Sequence, residues 1–175
     1  MLIAARQSMM TGKKVPVIQN VRMKITGMRA VESNSGGKYR IQLARIYLCT
    51  PDGTAWMWPS GTTASATLAW EGSEGPTNLI LNPSTTNGKY CSKTFTLSTL
   101  PIYLTINSST PIPTEYSHWR WKSGNDARQW TNRDPMNFAF EIEMNGEWVQ
   151  VDSKTNCPPA GANLVTAYEG TWWKG

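Results

Sequence analysis

Apolar and polar residues alternate along several short segments of this chain. The clearest segment follows Pro135, where every second residue is large and apolar, at Phe138, Phe140, Ile142 and Met144. A period of two is that of a strand with one buried face. The next residues, Asn145 and Gly146, tolerate the positive φ of a type I′ turn, which predicts a two-residue hairpin. The return strand would contain Trp148, Val149 and Val151.

Other segments are also predicted strands. They include the run carrying Val21, Met23 and Ile25, the run carrying Ile102, Leu104 and Ile106, residues 116–122, and residues 164–173, which would supply the closing strand. Within residues 39–48 the apolar positions change phase between Leu43 and Ile46. Because a change of phase moves side chains to the other face, a bulge is predicted near Ala44 and Arg45.

Turn-forming residues interrupt the apolar segments about every ten positions, as in all-β domains. The 175 residues include 14 glycines and 11 prolines, and Pro51-Asp52-Gly53 is typical of a tight turn. Residues 54–100 are predicted to be long loops that join short strands. A hydrophobic content of 39% suffices for one core. The pattern therefore predicts an all-β sandwich or barrel, with a single domain over residues 21–175.

The N-terminal residues 1–20 show no strand alternation. They are predicted to form an arm for assembly, ordered against a neighbouring subunit. Arg6 stands where a signal peptide needs its apolar centre, and no later stretch approaches the length of a membrane span. The sequence thus predicts no signal peptide and no membrane insertion.

The formal net charge is +5 and the pI is about 9.2. Basic residues are scattered from Arg6 to Lys174 and form no run, which predicts no nucleic-acid partner. The charge suits either an anionic partner, such as an acidic polysaccharide, or a solvated surface without a partner.

Three cysteines, Cys49, Cys91 and Cys157, lie far apart without a CxxC pair. This spacing gives no support to a zinc site and allows at most one disulfide, and the odd number indicates free thiols. No cofactor motif occurs in the chain. Structural calcium held by loop oxygens is left open, because such ligands follow no simple spacing.

Several motifs occur together in the second half of the chain. They are Trp119-Arg120-Trp121, Gly124-Asn125-Asp126-Ala127, Arg133-Asp134-Pro135 and the hairpin end Trp148-Val149-Gln150-Val151-Asp152. With Gln42-Leu43-Ala44 and Ile46-Tyr47-Leu48, they resemble the galactose-binding, discoidin-like β-sandwich modules found in many extracellular and phage proteins. The family commonly has an acidic residue at the position of Arg45. The resemblance implies a jelly roll, which commonly brings the first and last strands together.

The same resemblance implies a non-enzymatic virion structural protein. It would be a phage decoration, collar, baseplate or tail adhesion component that displays a carbohydrate-binding-like sandwich. Its expected partners are other virion subunits, bound through the N-terminal arm, and a host surface glycan. The alternative is a structural cement or clamp without sugar binding.

A third hypothesis is a glycan-processing enzyme that uses Asp126, Asp134 or Glu141, since paired carboxylates hydrolyse glycosides. His118 is the only histidine and is expected to be a packed or surface residue. The competing structural interpretation assigns the polar loop to folding. In it, Asn125 and Asp126 accept backbone N–H bonds, and Arg133 pairs with Asp134.

Nine tryptophans are many for one domain. Those in alternating strand positions, Trp119, Trp121 and Trp148, are predicted to pack in the core or on a sheet face. Trp56, Trp58 and Trp130 lie in loop-like segments, and binding and packing are equally compatible with their positions. These residues are the predicted ligand-binding set, because an indole face suits sugar C–H groups and partner side chains.

Overall fold

The computed structural model describes residues 17–32, 35–82, 84 and 88–174. Their strands are β1 (Asn20–Met28), β2 (Gln42–Leu43), β3 (Arg45–Cys49), β4 (Thr63–Ala66), β5 (Tyr90–Cys91), β6 (Ile102–Asn107), β7 (His118–Lys122), β8 (Pro135–Met144), β9 (Glu147–Lys154) and β10 (Thr166–Thr171). Short 3-10 turns lie at Pro76–Ile80, Leu97–Thr99 and Thr131–Arg133. The predicted all-β class is confirmed, and residues 54–100 are loops that join short strands, as expected.

Two antiparallel sheets pack against each other. The larger has the strand order β4-β6-β1-β8-β9, and the smaller has the order β10-β7-β3. The short strands β2 and β5 pair beside them. Trp119 of β7 stacks on Phe140 of β8, with ring centroids 4.4 Å apart, so aromatic side chains from both sheets meet in the core.

The core follows from the alternation of apolar residues. Val21, Met23 and Ile25 on β1 are fully buried, as are Trp119 and Trp121 on β7. Each large apolar side chain that leaves water stabilises the fold by about 2–3 kcal/mol, so these strands are held by their inward faces. The predicted strands at these positions are confirmed.

The hairpin between β8 and β9 has the predicted turn. Asn145 has a φ of 54° and Gly146 a φ of 81°, both in the left-handed region that this turn requires. Met144 then pairs with Glu147 across the turn. Trp148 lies half-buried on the outer face of the sheet, as predicted for sheet-face packing.

The change of phase near residue 44 separates two strands. Ala44 lies in a bend between β2 and β3, and Leu43 and Ile46 are both buried on either side of it. Arg45 is fully buried, and its Nη1 donates to the backbone carbonyls of Asn78 and Gly88, each at 3.0 Å. An acidic residue could not donate these hydrogen bonds, so the loop packing here depends on a basic side chain.

The expected pairing of the first and last strands is wrong for the described residues. β10 pairs with β7 in the smaller sheet, whereas β1 lies between β6 and β8 in the larger one. Asp152 of β9 links the larger sheet to β7 and β10 of the smaller sheet. Its carboxylate accepts hydrogen bonds from Trp119 Nε1 at 2.8 Å and Tyr168 Oη at 3.0 Å. A Cβ at Gly170 would lie 1.8 Å from Asp152 Oδ2, so a glycine is needed for this approach.

The three cysteines are free and buried. Burial raises the pKa of each thiol, which favours the protonated, unreactive form at neutral pH. Most of the predicted arm, residues 1–16, lies outside the described residues. Near its end, Ile18 is buried in the core and its carbonyl accepts the N–H of Ile112 at 2.7 Å.

Candidate functional site

The smaller sheet has two ends with different chemistry. His118, at the start of β7, pairs with Cys49 and Thr171, and Lys122, at its end, pairs with Arg45 and Thr166. Around the His118 end, and along the neighbouring edge of β3, lies a group called here the aromatic end, which comprises Trp56, Trp58, Tyr116, Trp172 and Trp173. Around the Lys122 end lies the charged end, which comprises Glu32, Gln42, Lys89, Asp126, Trp130 and Arg133.

Trp56 and Trp58 are positioned by a turn that reverses the chain after β3. Gly53 closes this predicted turn with a φ of 93°. The returning segment runs along β3, where the N–H of Trp56 donates to Leu48 O at 2.8 Å and Trp58 Nε1 donates to Ile46 O at 3.0 Å. The two indoles are therefore held together, with ring centroids 5.0 Å apart and planes inclined by 58°.

Tyr116 and Trp172 extend this group on the other side of the sheet end. The ring of Tyr116 lies 6.1 Å from that of Trp56. Trp172 Nε1 donates to the carbonyl of Tyr116 at 2.6 Å, and the Trp173 ring lies 6.1 Å from the Trp172 ring. The aromatic end is thus built from three separate chain segments, each tied to the sheet by hydrogen bonds.

The rings of the aromatic end are only partly covered. Trp56, Trp58, Tyr116 and Trp173 are half-buried, while Trp172 is buried. Within this group only Tyr116 can ionise, so the surface offers apolar area and polarised ring faces rather than proton transfer. Such faces bind sugar C–H groups or apolar side chains of a protein partner.

Lys89 connects the polar side chains of the charged end. Its ammonium lies 2.6 Å from both carboxylate oxygens of Asp126 and 3.2 Å from Gln42 Oε1. The Lys89 side chain is only 5% exposed, and a charge so buried needs such partners. The backbone carbonyl of Asp126 also accepts the N–H of Gln129 at 3.0 Å, so this residue orders the loop through both groups. Asn125 is exposed in the same turn.

Arg133 pairs with Glu32, which the sequence did not indicate. Its Nε and Nη2 lie 2.7 and 2.9 Å from the two Glu32 oxygens, and its guanidinium covers the Trp130 ring at 4.1 Å. Burial raises the pKa of Glu32, but the hydrogen bonds and charge of Arg133 outweigh it, so the pKa lies below its usual value. The predicted pairing of Arg133 with Asp134 is wrong, because the two side chains turn to different parts of the fold.

Asp134 is fully buried against the segment before β10. Its Oδ2 accepts the backbone N–H of Ala160 at 2.9 Å, whereas Oδ1 has no hydrogen-bond partner among the described residues. Burial raises the pKa of this carboxyl to about 6, against the effects of the Ala160 hydrogen bond and the nearby charge of Arg29. The carboxyl thus anchors a loop at an electrostatic cost.

The carboxylates proposed for glycan processing all have internal partners or lie buried. Asp126 is held by Lys89, Asp134 is enclosed, and Glu141 lies beneath Arg22 at 2.5 Å and Lys24 at 3.6 Å. These are the contacts of structural ion pairs and loop anchors. The described residues contain no group of three or more His, Cys, Asp or Glu side chains that could hold a metal ion.

The structure brings together part of the predicted ligand-binding set. Trp56 and Trp58 are adjacent, whereas Trp130 lies at the opposite end of the sheet beneath Arg133. Tyr116, Trp172 and Trp173 of the aromatic end were not in the predicted ligand-binding set. Tyr116 precedes β7 and Trp172 follows β10, and the two strands pair antiparallel. This pairing brings the two residues together, but the sequence did not predict it.

Comparisons of the chain with protein-family models, with curated proteins and with solved structures found no match. The discoidin-like resemblance therefore stays a prediction from the sequence motifs. Over the described ranges, no helix has the length and apolar character needed to cross a membrane.

Proposed function

We propose that this chain is a non-enzymatic binding module whose aromatic end contacts a carbohydrate. The observation that carries the proposal is the pair of half-buried indoles, Trp56 and Trp58, held 5.0 Å apart by hydrogen bonds to β3. The Trp58 ring is fixed by its own hydrogen bond and the Trp56 ring packs against it, so both lose little conformational freedom on binding, which favours affinity. Their exposed faces suit the C–H groups of a sugar ring.

Display on a virion is part of the same proposal and rests on the motif resemblance. A virion would display many copies of a decoration, collar, baseplate or tail adhesion component. Such multivalent display makes weak sugar binding effective. The finer assignment, a galactose-binding-like jelly roll, also belongs here. It is supported by the antiparallel two-sheet arrangement, although the last strand pairs with β7 rather than with β1.

A structural cement or clamp without sugar binding is the second candidate. The supporting observation is that Trp58 and Trp172 use their indole N–H groups internally, to Ile46 O and Tyr116 O. Met57, between the two site tryptophans, is 50% exposed and offers a flexible apolar contact. A surface of this kind also fits a neighbouring protein subunit.

Binding of the whole chain, presented in multivalent form, to an array of neutral and acidic glycans tests the proposal. We expect binding to at least one glycan and a loss of about tenfold in affinity for Trp56→Ala, which corresponds to about 1.4 kcal/mol. Trp130→Ala is the matched control, because this indole is also half-buried but lies under Arg133 at the other end.

The outcomes separate the two candidates. Binding that is weakened by Trp56→Ala and unchanged by Trp130→Ala supports a carbohydrate site at the aromatic end. No binding to any glycan, together with assembly that fails in the Trp56→Ala variant, would favour the cement or clamp. Thermal unfolding of both variants confirms that each remains folded.

A further inference from the structure

The outer face of the larger sheet carries a second arrangement of charge and aromatic rings. Residues of β1 alternate, so Val21 and Met23 point into the core while Arg22 and Lys24 point outward. Tyr103 of β6 and Trp148 of β9 stand on the same outer face. The strand order places β6 on one side of β1, and β8 and β9 on the other.

The guanidinium of Arg22 is held by an ion pair and by two aromatic rings. Its Nε lies 2.5 Å from Glu141 Oε2. Its Cζ lies 4.2 Å from the centroid of the Tyr103 ring and 4.1 Å from that of the Trp148 ring. Because these rings come from strands on opposite sides of β1, they restrict the guanidinium from two directions. The side chain is therefore fixed before any ligand arrives.

The η nitrogens of this guanidinium have no hydrogen-bond partner among the described residues, although most of the side chain is covered. Among the described residues, only Nε of Arg22 makes a hydrogen bond to a side chain, and the side chain is 18% exposed. The η nitrogens form a planar fork that matches the two oxygens of a carboxylate. Fixing the fork in advance lowers the entropy lost when a carboxylate binds.

Lys24, at the next outward position of β1, extends the site. Its ammonium lies 3.6 Å from Glu141 and its side chain is 31% exposed. A surface depression of about 350 Å³ lies beside it, lined by Lys24, Thr26, Leu100 and Pro101. The depression is shallow and open to solvent, so a sugar would rest against it rather than be enclosed by it.

The acidic neighbour Glu143 sets the direction of approach. It lies on β8 toward the Asn20 end of the face, where Asn20 Nδ2 donates to it at 2.5 Å. Glu143 repels an anion on that side, and Glu141 offsets part of the charge of Arg22 and Lys24, so an anion would depend on the η nitrogens of Arg22. The mildly basic chain, with a net charge of +5, favours the approach of an acidic polymer as a whole.

We propose that this face binds an acidic polysaccharide, with Arg22 as the bidentate anchor for one carboxylate and Lys24 beside the depression that takes a neighbouring sugar unit. The proposal is independent of the aromatic end, which lies at one end of the smaller sheet. It adds a binding site of a different chemical class, since the aromatic end offers no cation among the residues that define it.

Nuclear magnetic resonance titration of the full chain with a hexasaccharide of alternating glucuronic acid and N-acetylglucosamine tests this site. The same hexasaccharide with its carboxyl groups reduced to alcohols is the matched ligand. We expect the acidic probe to shift the Arg22 Nε–H and Trp148 indole resonances, and the reduced probe to leave them unchanged. Equal shifts with both probes, or no shift at these residues, would overturn the proposal.

Substitutions then test the anchor. Arg22→Lys keeps the charge but loses the fork, and we expect at least a fivefold loss of affinity for the acidic probe. Arg120→Lys is the control, because Arg120 is engaged through both Nε and Nη2 by Glu169. An unchanged affinity in Arg22→Lys contradicts the proposal. Should that variant fail to fold, the comparison of the two probes on the unmodified chain still decides the question.

Discussion

The two ends of the smaller sheet use their side chains in opposite ways. At the charged end the ionisable groups meet partners within the fold, as in the contact of Lys89 with Asp126 and that of Arg133 with Glu32. At the aromatic end the indole N–H groups of Trp58 and Trp172 donate within the fold, but Trp56 and Trp58 are only half-buried. The residues richest in apparent chemistry are therefore already engaged, and the less reactive ones are available.

The difference has an energetic cause. A buried charge without a partner is costly, so the charged end must satisfy its own groups before the loop can fold. An aromatic ring carries no such requirement and tolerates partial exposure. We therefore expect substitutions at the charged end to alter the free energy of unfolding, and substitutions at the aromatic end to alter ligand binding.

The largest effect is expected for Lys89→Met, which keeps the apolar stem but removes the charge. Asp126 and Gln42 lose their common partner, and we expect a loss of about 3 kcal/mol in the free energy of unfolding. Urea unfolding measures it. Lys93→Met is the control, because Lys93 is exposed and such substitutions usually stay within about 0.5 kcal/mol. Equal effects of the two substitutions would contradict an internal role for Lys89.

Asp134→Asn should stabilise the protein at pH values above about 6. The folded-state pKa is raised to about 6 by burial, so the folded protein binds more protons than the unfolded chain between the two pKa values. The stability of the unmodified protein therefore falls as pH rises through this range, by up to about 3 kcal/mol. Asparagine removes this dependence while keeping an acceptor for Ala160. Parallel pH profiles of stability for the two proteins would contradict a buried, titrating Asp134.

A smaller effect is expected for Glu32→Gln, which keeps a hydrogen-bond acceptor for Arg133 but removes the charge. The folded-state pKa of Glu32 is lowered, so its contribution is present above the usual carboxyl pKa and is lost as pH falls through the folded-state pKa. We expect a loss of about 1 kcal/mol at pH 7 that vanishes at strongly acidic pH. Glu71→Gln is the control, since its pair with Arg40 is more exposed. A loss independent of pH would contradict an ionic role.

Local patterns predicted much of the fold. Period-two alternation located β1, β6, β7 and β8, and Asn145-Gly146 located the hairpin, because each of these signals depends on neighbouring residues. The pairing of β10 with β7 was not predicted, since it joins distant segments whose apolar patterns fit several partners. The contact of Arg133 with Glu32 joins residues 101 positions apart, and no local signal indicates it.

The candidate site was predicted in part for the same reason. Trp56 and Trp58 are two positions apart, so a turn and a strand edge suffice to bring them together. Trp130 looked equivalent in sequence, but the direction of β7 carries it to the other end. Alternation predicts that Arg22 points outward, but its position between two rings depends on β6 and β9, which only the sheet order brings near.

The most direct measurement follows the indole N–H resonances of the nine tryptophans while the chain is titrated with a glycan that it binds. If the aromatic end is the binding surface, the resonances of Trp56 and Trp58 shift progressively with ligand, and that of Trp130 does not. A shift of Trp130 with Trp56 and Trp58 unmoved would contradict this assignment and place the ligand at the charged end.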